Sequence, residues 1–372
     1  MELLLTAHPQ DLNAGGGDWG SQLNAALTEG HMDIAMFLLN RGAVGDSMSY
    51  VEQTGLYIAS SRGYADVVRS LIDHGADLNA ICQDYHGDYD NDVKWTPLHG
   101  AIYNGHRDIA ILILGGGADT EILSSLGQTA LYMASSRGYA DVVQSLIDCR
   151  ADLNTKCQDM TDELRDETQT PLHVAIDKEN WDTVHLLLEA GADTEVRNSW
   201  DLTALFMALS GGRADIVQEL IDHGADLDAK CEYSFKGVKW TPLHAASCNA
   251  ILPITRMLLE HGVNPNAPDN LGKTALHLAS SNGQITAVEL LLEYGANVDV
   301  QHEEGWTPLH EAAYNLKLQV VAILLNRGAD PHAQTDKGET PIQLANAPDW
   351  WESKKDQAQI IRLLSDRTRE RM

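Results

Sequence analysis

A unit of about 33 residues recurs along the chain, and it constrains the fold more than any other feature. Its cleanest copy occupies residues 273–299 and reads KTALHLASSNGQITAVELLLEYGANVD. Thr274 stands as a helix N-cap, whose hydroxyl accepts from a free backbone N–H. The next position is Ala275 here and proline in other copies, at Pro97, Pro171, Pro242, Pro308 and Pro341. Proline suits the first helical position, where its missing donor would go unpaired anyway. Leu276 and Ala279 fall on one face of a short helix, and Gly283 ends it. A second helix follows, with Ala287, Leu290 and Leu291 toward its neighbours, and Gly295 closes it. Two short amphipathic helices cannot bury an apolar face alone, so the copies must stack.

The equivalent threonines are Thr54, Thr96, Thr129, Thr170, Thr203, Thr241, Thr274, Thr307 and Thr340, with Ser21 in the first such place. The gaps are 33 residues, except for three of 42, 41 and 38. Thr96, Thr170, Thr241 and Thr307 each open the tetrapeptide Thr-Pro-Leu-His. With this signature at this period, the chain resembles the ankyrin-repeat family over nearly its whole length. The resemblance implies an all-α fold: about ten helix–turn–helix repeats in a curved solenoid, with protruding β-hairpin-like fingers. It implies that fingers and first helices line a concave binding face. It also implies that His99, His173, His244, His277 and His310 hydrogen-bond between adjacent fingers and order the turn.

The chain opens inside a repeat. Residues 1–14 match a second helix without its first, so this half repeat points to the tail of a longer polypeptide or a truncated gene copy. Residues 15–372 read as the solenoid. Its last repeat, 335–372, carries Pro348, Trp350 and Trp351 between its helices and a polar second helix, as a C-terminal cap would. Repeats also run in pairs: residues 60–80 and 135–155 are near copies, and 210–229 is a looser one. Cys149-Arg150 replaces His-Gly in the second copy, which puts a non-glycine at a left-handed position for about 1 kcal/mol. The three long gaps hold long fingers at 81–95, 156–169 and 230–240, each with a cysteine near its start, at Cys82, Cys157 and Cys231. Inserted segments of this kind often mark a binding edge.

Charge narrows the partner class. Lys and Arg number 26 against 54 Asp and Glu, a formal net charge of −28. This argues against nucleic acid and anionic membrane, and favours a basic protein partner or plain solubility. Five cysteines, an odd number with no C-x-x-C pair, fit free thiols in a reducing compartment, cytoplasmic with the nucleus open. The Met-Glu-Leu-Leu-Leu start has neither the basic region nor the apolar run of a signal peptide, so none is expected, and no stretch approaches the roughly 18 apolar residues of a membrane span.

No catalytic motif stands out. The chain lacks a phosphate-binding glycine loop, a G-x-S-x-G elbow and H-E-x-x-H. Cys82, Cys157 and Cys231 lie too far apart along a solenoid to share a metal, and read as half-buried residues at the finger bases. The acidic run at residues 88–92 lacks the glycine and distal glutamate of a calcium loop, so a solvated loop is the default. No cofactor and no metal are expected. An enzyme using the groove, and a ligand-sensing repeat tail of a larger receptor, remain alternatives to a protein-binding scaffold.

Aromatic and basic residues mark the candidate binding surface. Trp95, Trp240 and Trp306 each stand just before Thr-Pro-Leu-His, a finger position that in the family faces the groove. Exposed tryptophan is a frequent binding hot spot; the alternative is that each indole packs on the neighbouring finger. Trp200 joins them. At the first-helix ends, Arg62, Tyr103, Arg137, Lys178 and Tyr314 occupy a further groove-facing place, where arginines can clamp carboxylates.

Overall fold

The structure is a computed structural model. It describes residues 20–49, 52–84, 93–159, 167–232, 237–346 and 354–370. The half repeat at 1–14, the acidic run at 88–92 and the Trp350-Trp351 pair lie outside the described residues. Among the described residues the fold is predominantly helical, with helices in pairs and three two-stranded antiparallel hairpins. The chain divides into two compact units, Met1–Ser199 and Trp200–Met372.

In the first unit the first helices of successive repeats are Gln22–Glu29, Gly55–Arg62, Pro97–Tyr103, Ala130–Arg137 and Pro171–Asp177. Their second helices are Met32–Asn40, Ala65–Asp73, Arg107–Gly115, Ala140–Asp148 and Trp181–Glu189. In the second unit the first helices are Ala204–Ser210, Pro242–Cys248, Ala275–Asn282, Pro308–Tyr314 and Pro341–Asn346. Their partners are Ala214–Asp222, Leu252–Glu260, Ile285–Glu293, Leu318–Asn326 and Lys354–Glu370. Within each unit, first helices pack on first helices and second on second. The apolar positions of the repeat supply the core: Leu56, Ala59, Val68 and Leu71 in one repeat, and Leu276, Ala279, Val288 and Leu291 in another, are fully buried. Each buried leucine or valine contributes roughly 1.5–3 kcal/mol, and only stacking provides the surface against which to bury it.

The helix ends follow their residue chemistry. Thr54 is extended (φ −84°, ψ 159°), and its hydroxyl accepts from the Tyr57 N–H at 3.2 Å. Gly63, Gly138 and Gly283 close first helices in the left-handed region. Arg150 does adopt φ 63°, where its counterpart Gly75 has φ 77°.

Carboxylates and amides then join neighbouring repeats through the turn after each second helix. The Asp46 carboxylate accepts from the Asp77 N–H, the Asn79 side-chain carbonyl from the Asp119 N–H, and Glu121 from the Asp152 N–H, all at 2.9–3.0 Å. The second unit repeats the pattern, with Asn266 accepting from Asn297 and Asp299 from Asp330. Part of the acidic composition is therefore structural: these groups satisfy backbone donors that the turns would otherwise leave to water.

The long fingers are β-hairpins at their bases. β1 (Cys82–Asp84) pairs with β2 (Val93–Trp95), β3 (Cys157–Asp159) with β4 (Glu167–Gln169), and β5 (Cys231–Glu232) with β6 (Lys239–Trp240). Each hairpin docks on the following finger. The Lys94 N–H donates to Ser125 Oγ, the Thr168 N–H to Ser199 Oγ, and the Lys239 N–H to Asn270 Oδ1.

Candidate functional site

The edge formed by fingers and first helices is where the sequence places its candidate residues, and its order comes from the residue three beyond each opening threonine. At His99, His244, His277 and His310 the ring bridges two fingers. His99 Nε2–H donates to the Gln128 carbonyl at 3.2 Å, and His244, His277 and His310 donate likewise to the carbonyls of Lys273, Trp306 and Glu339. A carbonyl only accepts, so the proton sits on Nε2 and Nδ1 is an acceptor. The hydroxyls of Thr96, Thr170, Thr241, Thr274 and Thr307 lie 2.6–3.0 Å from that nitrogen. Burial pushes the His99 and His277 imidazoles down from 6.5 to about 4, the carbonyl bonds opposing it.

Where the residue is aromatic (Tyr57, Tyr132 and Phe206), no ring nitrogen is present to accept the N-cap N–H, as Nδ1 of His173, His244, His277 and His310 does. A thiol takes its place in two repeats: the Thr54 N–H donates to Cys82 Sγ at 3.5 Å, and the Thr129 N–H to Cys157 Sγ at 3.4 Å. Cys82, Cys157 and Cys231 are completely buried, rather than half-buried as the sequence suggests. The reason is finger length. In short fingers the same position caps a tight turn and must be polar: Ser124 Oγ accepts from Gln128 N–H, Asp269 Oδ1 from Leu271 and Lys273 N–H, and His302 Nδ1 from Glu304 N–H. In long fingers a strand starts there instead, and the side chain turns into the core. The signal was in the sequence: each of these cysteines lies 28 residues after a threonine whose fourth-place residue is aromatic.

The same hairpins decide the tryptophans. Trp95 faces Cys82 across its hairpin and is 3% exposed, in a cluster with Tyr57 and Val93; Trp240 faces Cys231 and is 5% exposed. The expectation of open rings gives way at both positions to packing on the finger. Trp306, on a short finger with no hairpin, is half-buried. Trp200 is 37% exposed.

In the first unit the structure brings three candidates into one stack. The Trp95 ring lies 4.4 Å from half-buried Tyr103, and the exposed Arg137 guanidinium sits 4.6 Å over the Tyr103 ring from the next repeat. Arg62 reaches back in the same way and donates from Nη1 to the Thr28 carbonyl. Lys178 pairs with neighbouring Asp177 at 2.9 Å. Tyr103 and Tyr314 stand seven residues beyond their threonines, and Arg62, Arg137 and Lys178 eight, so the first-helix end offers two places rather than one.

In the second unit Trp306 packs edge-on against Tyr314 at 5.4 Å and parallel to His302 at 6.3 Å. Beside them is a charge cluster that the sequence reading missed. The Glu311 carboxylate, 7% exposed, meets Lys273 Nζ at 2.6 Å and lies 3.7 Å from His302 Nε2. Burial works to raise its pKa, but the His302 imidazole and the Lys273 ammonium hold it at about 2. Nothing in the spacing of Lys273 and Glu311, 38 residues apart, marks them as partners before the repeats are stacked.

Among the described residues no group of three or more His, Cys, Asp or Glu is placed to hold a metal ion. None of the described helices is long and apolar enough to cross a membrane.

A family model described as ankyrin repeats matches residues 23–122, 79–157, 111–198, 156–231, 172–269, 226–302 and 254–335. The chain belongs to the ankyrin-repeat family. It is 38% identical over 271 residues to the ankyrin repeat and KH domain-containing protein mask-1 of Caenorhabditis elegans, covering 66% of this chain and 10% of that protein. It is 32% identical over 179 residues to a B-cell lymphoma 3 protein homolog of Mus musculus (48% of this chain, 38% of that protein). With the mouse ankyrin repeat and SOCS box protein 16 it shares 31% identity over 227 residues (59% and 45%). The chain thus spans less than half the length of each of these relatives. Ankyrin repeats are in general protein–protein interaction modules.

Proposed function

We propose that this chain is a non-catalytic scaffold that holds a partner protein, as an extended segment, along the edge of fingers and first helices. The observation that carries this reading is the preorganised stack of Trp95, Tyr103 and Arg137. Side chains already ordered before contact lose less entropy on binding. In this reading Tyr103, Arg62, Arg137 and Lys178 make the contacts in the first unit, and Tyr314, Trp306 and Trp200 those in the second. Trp95 and Trp240 hold the fingers from beneath.

Panning a random peptide library on the immobilised full chain tests the proposal. Enriched peptides are expected to bind, and to lose about tenfold or more when Tyr103→Ala or Tyr314→Ala is introduced, as hot-spot aromatics do. Failure to enrich any peptide, or binding that no substitution on this edge alters, would overturn it. The partial coverage of the relatives' lengths favours a second arrangement, in which such repeats serve as the recognition part of a larger protein. Free cysteines at all five positions fit a reducing compartment, cytoplasm or nucleus.

A further inference from the structure

The first-helix ends of the two units differ in charge. Eight residues beyond the opening threonine, the first unit carries Arg62, Asn104, Arg137 and Lys178, after Glu29 in the repeat that Ser21 opens. The second unit carries Gly211, Asn249, Asn282 and Asn315 at that place. Three of the chain's 26 lysines and arginines therefore stand in this row of the first unit, and none at Gly211, Asn249, Asn282 and Asn315 of the second. All four side chains of that row from Arg62 onward are exposed.

Two of these cations are held without being neutralised. Among the described residues neither Arg62 nor Arg137 meets a carboxylate. Arg62 spends one donor on the Thr28 carbonyl. Arg137 lies on the Tyr103 ring at 4.6 Å. Its guanidinium makes no hydrogen bond or ion pair among the described residues, so its fork stays available for a carboxylate. The platform is firm, because Tyr103 rests on buried Trp95 at 4.4 Å. An arginine fixed by cation–π contact loses little further freedom when a carboxylate arrives, and the bidentate pair is among the strongest charge-assisted contacts.

We propose that the first unit binds an extended acidic peptide segment of its partner, with glutamate or aspartate carboxylates seated on Arg62 and Arg137 and Lys178 next in the row. This rests on the scaffold reading and names the partner's chemistry. The overall negative charge does not prevent it. At physiological salt the repulsion is screened beyond about 8 Å; among the carboxylates close to the row are Glu29 at its end and Asp177, which pairs with Lys178.

The test is fluorescence anisotropy of the full chain with three labelled peptides of one length, built on glutamate, glutamine or lysine alternating with glycine. The glutamate peptide is expected to bind, to weaken as salt rises, and to lose about tenfold or more on the double substitution Arg62→Glu and Arg137→Glu. Arg69→Glu, an exposed cation on a second helix, is expected to leave binding unchanged. Tyr103→Leu, which keeps the charge and removes the platform, is expected to weaken binding severalfold. Circular dichroism confirms that each variant is folded. No binding of the glutamate peptide, or equal binding by the double variant, overturns the inference. Binding of the lysine peptide alone also overturns it, while leaving the scaffold reading intact. The library selection judges that reading separately.

Discussion

At the scale of single residues, position in the repeat decides what a side chain does. Histidine three beyond the N-cap suits its place only while neutral: burial disfavours the charged ring, and at His173, His244, His277 and His310 a protonated Nδ1 would point a donor at the N-cap N–H. The His99 imidazole is held at about 4 against 6.5 in the unfolded chain. Its contribution is complete above pH 6.5 and is lost as pH falls from 6.5 toward 4, because the unfolded chain binds the proton first. The loss is on the order of 3 kcal/mol for His99. Urea denaturation at stepped pH is expected to show stability falling across this window, and less steeply in His99→Gln. The tryptophans divide by the same logic. Trp95→Ala and Trp240→Ala empty buried hairpin bases and are expected to cost about 3–5 kcal/mol. Trp306→Ala, at a half-buried ring, is expected to cost less than either, as read by thermal melts followed by circular dichroism.

At the scale of elements, fingers and turns are joined by groups whose removal has unequal consequences. Lys273→Met would leave the Glu311 carboxylate buried beside His302 without its ammonium, and is expected to cost about 3 kcal/mol. Glu311→Gln is expected to cost less, because Lys273, 29% exposed, can turn its charge toward water. Equilibrium denaturation of the two variants checks the asymmetry. The carboxylate adds a second acid window: with its pKa lowered from 4.5 to about 2, its stabilisation is present above 4.5 and lost as pH falls from 4.5 toward 2. Arg150 sits at φ 63°, and its glycine counterparts Gly75, Gly224 and Gly295 have open space around the missing Cβ. The strain is therefore in the backbone alone. Arg150→Gly is expected to raise stability by about 0.5 kcal/mol, the left-handed penalty less the entropy of a freer unfolded chain.

At the scale of the whole molecule, the repeat was legible because its signals are local. Threonine caps, proline at the first turn, glycine at helix ends and leucine periodicity each act within a few residues. Helix pairs, long fingers and finger-bridging histidines were readable for that reason. The site was only partly legible. The candidates Arg62, Arg137 and Tyr103 could be placed at first-helix ends from their positions in the unit, but the burial of Trp95 and Trp240 depends on strand pairing within their fingers. The Lys273–Glu311 pair depends on which repeats become neighbours. The turn carboxylates were counted as surface charge because their partners are backbone donors of the next repeat, which no composition reveals.

Hydrogen–deuterium exchange of the full chain, with and without a peptide enriched by library selection, tests the binding edge most directly. Slowed exchange is expected in the finger and first-helix backbones around residues 93–104, 128–138 and 305–315, with second helices unchanged. Protection confined to second helices, or none at all, would contradict the assignment of this edge as the binding surface.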